Sequence, residues 1–265
     1  MATLKINQMG AATFRELFYS HTGNQVHKWD HYLDIYEKYF SAYRGQPVSI
    51  LEIGISQGGS LQLWKKYFGE NVRVYAMDIN PLCKKFEEEN IKIFIGSQED
   101  EKFLKEVCHQ IPDVDIILDD GGHTMRQQIV SFENLFLKVK EGGLYIVEDT
   151  HTSYWHEYHG GLKKPGSFIE YSKNLVDSLY EGHIADKRKL LVNEITTHIN
   201  GISFYDSIVV FEKQKRNTPF HIRKGTESIE PYIQVELKKP TLWMQVKQKL
   251  FGKQDTYKNN DKGKL

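Results

Sequence analysis

The feature that most constrains this chain is a rhythm. Five short apolar runs close on glycine or acidic residues: "VSILEIG" (48–54), "VRVYAMDIN" (72–80), "IKIFIGSQ" (91–98), "DVDIILDDGGH" (113–123) and "GGLYIVEDTH" (142–151). Runs this continuously apolar suit strands buried on both faces. Amphipathic stretches lie between them. "SLQLWKKYF" (60–68) puts Leu61, Trp64 and Phe68 on one helical face, and "QQIVSFENLFLKVK" (127–140) does so with Ile129, Phe132, Leu135, Phe136 and Val139. Strand and helix in alternation predict an α/β fold with a mostly parallel sheet covered on both sides.

The flanks differ. Tyr32, Tyr36, Tyr39, Phe40 and Tyr43 recur at helical spacing and predict a core-packing aromatic face, with Lys28, Trp29, Asp30 and His31 at the helix entrance and Asp30 as its N-cap. Past residue 165, "SFIEYSKNLVDSLY" (167–180) reads as a helix. "LVNEITTHI" (191–199) and "DSIVVFEK" (206–213) read as two antiparallel strands joined by a turn containing Gly201, at the sheet end. From Lys213 onward thirteen Lys or Arg stand against five Asp or Glu, although the chain as a whole is neutral. That tail predicts one amphipathic helix, "PTLWMQVKQKLFG" (240–252), and a disordered end, "KNNDKGKL". Trp243, Val246, Leu250 and Phe251 with Lys247, Lys249 and Lys253 can rest on an anionic membrane surface, or pack on a partner or on the chain's own domain.

Zero net charge over 265 residues gives no global signal for nucleic acid. The first residues lack a signal-peptide core, and no stretch approaches the about 18 apolar residues of a membrane span. Cys83 and Cys108 form no CxxC pair and read as reduced thiols. A cytoplasmic protein is expected.

Two constellations carry chemistry. In "LEIGISQGGS" (51–60), Glu52 and Gly54 end the first strand, and Gly58, Gly59 and Ser60 lead into a helix. Glycines permit a sharp turn and close backbone approach, and the helix N-terminus offers free N–H groups to a carboxylate or phosphate. Asp78, ending the second strand, can accept hydrogen bonds from ribose hydroxyls. Together they indicate a nucleoside-containing cofactor, and the spacing is not the GxGxxG of nicotinamide dinucleotides.

The second constellation is acidic. Asp119, Asp120 and His123 lie at the end of the fourth strand, and Glu148, Asp149 and His151 at the end of the fifth. Neighbouring strand tips lie about 5 Å apart. Converging carboxylates must share protons or a cation. Asp120, Glu148 and Asp149 offer three hard oxygen ligands suited to Mg²⁺ or Mn²⁺, and His123 can take a proton from a chelated hydroxyl.

The blocks "HKWDHYLDIYEKYF", "ILEIGISQGGSLQLWKKYFG", "YAMDINPLCKKFE", "IGSQED", "ILDDGGHTMRQQIVSFENLF" and "GGLYIVEDTHTSYW" resemble the macrocin and mycinamicin sugar O-methyltransferases over about residues 27 to 180. The resemblance implies a Rossmann-like class I methyltransferase sheet that binds S-adenosylmethionine and Mg²⁺ (or Mn²⁺). By motif, His123 would be the base and Asp120, Glu148 and Asp149 the metal ligands. Glu52, Gly54, Gly58, Ser60, Asp78 and Asp120 would line the cofactor, and Ser97 and Gln98 would approach its adenine. Lys28 and His31 match the family's pre-helix block only loosely. The organisation so implied is a helical cap (1–46), a methyltransferase domain (47–213) and a basic tail (214–265). The expected acceptor is a saccharide with neighbouring hydroxyls, methylated on a glycan or glycosylated natural product, by a chain able to form a homo-oligomer. Tyr154, Trp155 and Tyr158 are candidates for a lid or a sugar-stacking surface. The macrolide enzymes have a longer N-terminal region, and the basic tail has no counterpart in them. Two other readings stay open: a catechol or polyphenol O-methyltransferase, and a non-catalytic nucleoside- or metal-binding subunit of a glycan assembly complex. A nicotinamide-dependent sugar dehydrogenase or epimerase would need glycine and YxxxK patterns that are not found in the right context.

Overall fold

The computed structural model describes residues 11–69, 71–184, 187–229 and 243. Its centre is a seven-stranded sheet: β1 (Ser49–Ile53), β2 (Arg73–Asp78), β3 (Ile91–Ile95), β4 (Val114–Asp119), β5 (Val139–Val147), β6 (Ile199–Tyr205) and β7 (Ile208–Lys213). The order is β3-β2-β1-β4-β5-β7-β6. The first five strands run parallel, and β7 inserts antiparallel between β5 and β6. Chain order reverses between β1 and β4, and a crevice opens outside the carboxyl ends at such a point.

Among the described residues seven α-helices flank the sheet: α1 (Phe14–Tyr19), α2 (Tyr32–Phe40), α3 (Gly59–Phe68), α4 (Glu101–Gln110), α5 (Met125–Leu135), α6 (Phe168–Leu179) and α7 (Glu194–His198). Each sheet face has its own core. On one, Phe14, Tyr36, Phe40, Trp64 and Phe68 from α1–α3 cover Ile50, Val74 and Ile116. On the other, Leu104, Phe132, Phe136 and Phe168 cover Leu51, Ile117, Tyr145 and Phe211. The aromatic face of α2 is therefore core, and Phe14 stacks on Trp64 at 5.2 Å between ring centres. These N-terminal helices share one hydrophobic cluster with the strands rather than forming a separate one.

Several local expectations are corrected. Asp30 does not cap α2. The N-cap is His31, without a side-chain bond, because Arg15 and Tyr19 of the unforeseen α1 each bond the Asp30 carboxylate at 2.6 Å. "LVNEITTHI" is not a strand: Asn193 caps the short α7, and β6 begins at Ile199. Gly201 sits inside β6 at an irregular step, while the hairpin turns at Asp206 and Ser207, with Ser207 at φ 65°. Val139, placed on a helix by periodicity, opens β5. Of the expected tail helix, every residue but Trp243 lies outside the described residues, as does the terminal "KNNDKGKL". Among the described residues no helix is long and apolar enough to cross a membrane.

Candidate functional site

The crevice holds a cavity of about 530 Å³, lined by residues 25–29 of the strap between α1 and α2, by 53–57, 77–79, 96–98 and 120–123, and by Glu148 and Asp149. That size suits a small-molecule ligand. Its floor follows from strand register. Asp119 lies opposite Ile53 on one side and Val147 on the other, so Asp120 and Glu148 leave the sheet side by side.

The glycine turn is shaped by its neighbours. Gly54 has φ +82°, and a Cβ there would lie 2.2 Å from the Asp120 carbonyl oxygen, so the tips of β1 and β4 pass too closely for a side chain. Gly58, also left-handed, is the N-cap of α3. Asp78 braces this turn: one oxygen accepts from the amides of Ile55 (2.9 Å) and Ser56 (3.0 Å), the other from Asn80 (2.8 Å). Glu52 is buried, and one of its oxygens accepts from the Ser60 hydroxyl (2.9 Å) and the Trp64 indole (3.0 Å). Its other oxygen has no partner among the described residues. Burial pushes the Glu52 carboxyl up to about 7.

Gln98 lines the cavity beside Ser97, and its amide is bonded to the protein at both ends. Its Nε2 donates to Asp119 (3.0 Å) and Ser131 (3.1 Å), and its Oε1 accepts from the Gly122 amide at 2.7 Å. Both ends of this amide thereby anchor the "DDGGH" loop. Burial pushes the Asp119 carboxyl up to about 7, and it faces Gln98 rather than the cation cluster.

The structure brings Asp120, His123 and Asp149 together, one ligand atom from each within 4.8 Å of the others. His123 Nε2 lies 3.4 Å from Asp149 and 3.9 Å from Asp120, and its buried Nδ1 has no partner among the described residues. His123 (φ 58°) and Asp149 (φ 52°) both adopt the left-handed region, a cost that non-glycine residues carry mostly at functional sites. Tyr32 donates to Asp149 at 2.7 Å.

Glu148 does not join that triangle. It is 1% exposed and its oxygens accept from Lys28 Nζ at 2.9 and 3.1 Å and from the Tyr36 hydroxyl. The same ammonium lies 2.5 Å from Asp120. Burial pushes Glu148 up to about 8, with the Asp120 charge adding to the rise against Lys28. Asp120 is raised as well, by burial against the pull of Lys28. Burial alone would lower Lys28, but the carboxylates of Asp120, Glu148 and Glu52 outweigh it and raise it. His31 points elsewhere, to the Asp206 carbonyl.

From the sequence Lys28 had only a loose family match, and Tyr32 and Tyr36 read as core. A faint signal existed: buried tyrosine hydroxyls need partners, and the stripe on α2 uses Tyr where Phe would pack equally well. At the mouth, His151 stacks edge-on between Trp29 (5.6 Å) and Trp155 (4.6 Å), both about half exposed, beside Tyr154. Hard oxygen donors around a place that already accommodates an ammonium fit a divalent cation.

The sheet order, the switch-point crevice and the glycine turn define a class I methyltransferase fold. No protein-family model matches the chain. It is 33% identical over 189 residues to demethylmacrocin O-methyltransferase of Streptomyces fradiae, covering 67% of this chain and 47% of that protein. It is 29% identical over 191 residues to 8-demethyl-8-alpha-L-rhamnosyl tetracenomycin-C 2'-O-methyltransferase of Streptomyces olivaceus, covering 69% and 50%. Solved MycE methyltransferase, in complex with Mg, SAH and Mycinamycin VI, superposes with a TM-score of 0.69 at 28% identity, over 78% of this chain and 54% of that one. The chain belongs to the macrocin- and mycinamicin-type sugar O-methyltransferase family. It spans about half the length of the curated relatives it matches.

Proposed function

We propose that this chain transfers the methyl group of S-adenosylmethionine to a sugar hydroxyl of a glycan or glycosylated natural product, with a divalent cation beside the cofactor. The observation that carries this reading is the convergence of Asp120, His123 and Asp149 at the mouth of a crevice built on the glycine turn. A relative named for a rhamnosyl acceptor, and one solved with magnesium, SAH and Mycinamycin VI together, support the acceptor class and the cation.

Gly54 and Gly58 let the cofactor approach the backbone, and the amides at the start of α3 take its carboxylate. Glu52 and Ser60 support that end; Asp78 and Ser97 border the nucleoside end, and Gln98 keeps the Gly122 loop in place. Asp120, Glu148 and Asp149 would hold Mg²⁺ or Mn²⁺, which when bound supplies Lewis-acid stabilisation of charge on the acceptor oxygens. His123 Nε2 takes the acceptor proton as the acceptor oxygen takes the methyl group and S-adenosylhomocysteine leaves. Trp29, His151 and Trp155, with Tyr154 and Tyr158, form the acceptor wall. The helices before residue 47 cap the site and residues 47–213 form the catalytic domain. The enzyme works in the cytoplasm, where its free Cys83 and Cys108 stay reduced.

The test offers glycosides and catechols to the purified chain with methyl-labelled S-adenosylmethionine and Mg²⁺. Label should enter glycosides, EDTA should abolish transfer, and His123→Ala should lower turnover by about 100- to 10,000-fold with cofactor binding unchanged. Transfer to catechols alone would replace the sugar by a flat acceptor. Cofactor binding without transfer to any acceptor would make the chain a binding subunit, and normal turnover by His123→Ala would remove the base.

A further inference from the structure

The two oxygens of Asp120 face two different places. Oδ1 looks toward His123, whereas Oδ2 is bonded to Lys28 Nζ. Both oxygens of Glu148 are also taken by that ammonium. A cation held by Asp120, Glu148 and Asp149 therefore needs oxygens that Lys28 now occupies. Lys28 is 4% exposed and reaches this position from the strap between α1 and α2, where residues 21–28 carry no regular helix or strand. The strap is held by the Asn24 amide to Gln62 (2.8 Å), by His21 to the Asn24 carbonyl (2.8 Å) and by Val26 packed on the core. Withdrawing the lysine therefore needs no helix to unwind.

We propose that Lys28 is a place-holder for the metal: its ammonium neutralises Asp120 and Glu148 in the metal-free chain, and metal loading exchanges it for the divalent cation. The inference rests on the reading that Asp120, Glu148 and Asp149 are the metal ligands. An ammonium and a divalent cation on the same two carboxylates repel each other strongly in a buried place, so the two occupants exclude one another. Without a resident cation, Asp120, Glu148 and Asp149 would face each other unbalanced whenever the metal is absent. Apparent metal affinity is then the intrinsic affinity reduced by the fraction of chains in which the lysine has withdrawn.

The experiment uses the full chain stripped with EDTA and titrated with Mn²⁺, free Mn²⁺ being followed by electron paramagnetic resonance. Lys28→Met should bind Mn²⁺ at least about tenfold more tightly than the wild type, as expected if the seat is open in about one chain in ten or fewer. Asp34→Asn, a surface control, should bind as the wild type does. In the wild type, acylation of Lys28 read by mass spectrometry should rise several-fold on adding Mn²⁺, as the amine leaves its buried seat. This second measurement needs no variant, so it stands even if Lys28→Met fails to fold. Unchanged or weaker Mn²⁺ binding by Lys28→Met, or unchanged or reduced labelling of Lys28 with Mn²⁺, overturns the exchange while leaving a metal-binding wild type intact. Absence of Mn²⁺ binding in both wild type and variant overturns the metal reading along with it.

Discussion

The same sheet carries a lysine–carboxylate cluster at each end, and the two are built on opposite rules. At the amino ends, one Asp115 oxygen accepts from the Ser49 amide (2.8 Å), the Ser49 hydroxyl (2.7 Å) and Lys140 (2.8 Å). Burial opposes the charge there, yet Lys140 and Ser49 outweigh it and hold Asp115 below its ordinary value. At the carboxyl ends one lysine serves two acids, the buried Glu148 and the half-buried Asp120, with Asp149 beside them, and Glu148 is pushed up instead. Each acid faces a lysine, so pairing alone does not set the direction. The ratio of donors to negative charges does, together with depth of burial. The amino end is balanced and structural. The carboxyl end holds more negative charge than the chain itself can satisfy, a state that favours a cationic ligand.

The contrast is broken most strongly at Glu52, a further acid of the carboxyl end. Its folded value of about 7 lies above that of an unfolded glutamate, so the neutral acid is favoured by folding. That contribution is complete below about pH 4.5 and disappears as pH rises through about 7. Between pH 5 and pH 8 the wild type should lose about 3 kcal/mol relative to Glu52→Gln, read by urea denaturation at both pH values. Parallel pH profiles for the two proteins would refute the burial of this charge.

A smaller effect is expected at the other end. Asp115→Asn should lower stability by about 1–2 kcal/mol at neutral pH and leave Mn²⁺ affinity untouched. The depressed value of Asp115 means its contribution is present above the unfolded carboxylate value and lost only as pH falls through the folded one. The variant and the wild type should therefore converge in strong acid alone. Convergence near neutrality would show that Asp115 is not held as an ion.

The smallest effect has the opposite sign. Glu148→Gln leaves Lys28 paired with Asp120 and, above about pH 8, where Glu148 is charged, removes one buried negative charge. The metal-free chain should gain about 1 kcal/mol, seen as a raised melting temperature in EDTA, while Mn²⁺ binding weakens. A variant destabilised like Asp115→Asn would mean that both ends follow one rule.

Much of the fold was legible because its signals are local. Apolar runs of five to nine residues became β1–β5, and acids followed those runs at strand tips because charged side chains are kept out of a doubly covered sheet. The antiparallel addition after residue 190 was legible in kind but not in detail: "LVNEITTHI" is β-branched enough to imitate a strand, and Asn193 capping turned it into α7. That Gly54, Asp78, Ser97, Gln98, Asp120, His123, Glu148 and Asp149 would meet around one cavity was legible. Their wiring was not: Gln98 bonds the Gly122 amide, Asp78 braces the glycine turn, and Asp30 is drawn off by Arg15.

By itself, the sequence determined which segments form the five parallel strands, where the backbone can turn through Gly54 and Gly58, and which acids end up at one edge of the sheet. Each of those follows from side-chain periodicity and backbone sterics within a few residues. Only the tertiary structure decided that Lys28 meets Glu148 across 120 residues and Tyr36 meets it across 112. Such partners are chosen by competition among all charged and hydroxyl groups that folding brings into one dry place, and no spacing along the chain encodes the outcome.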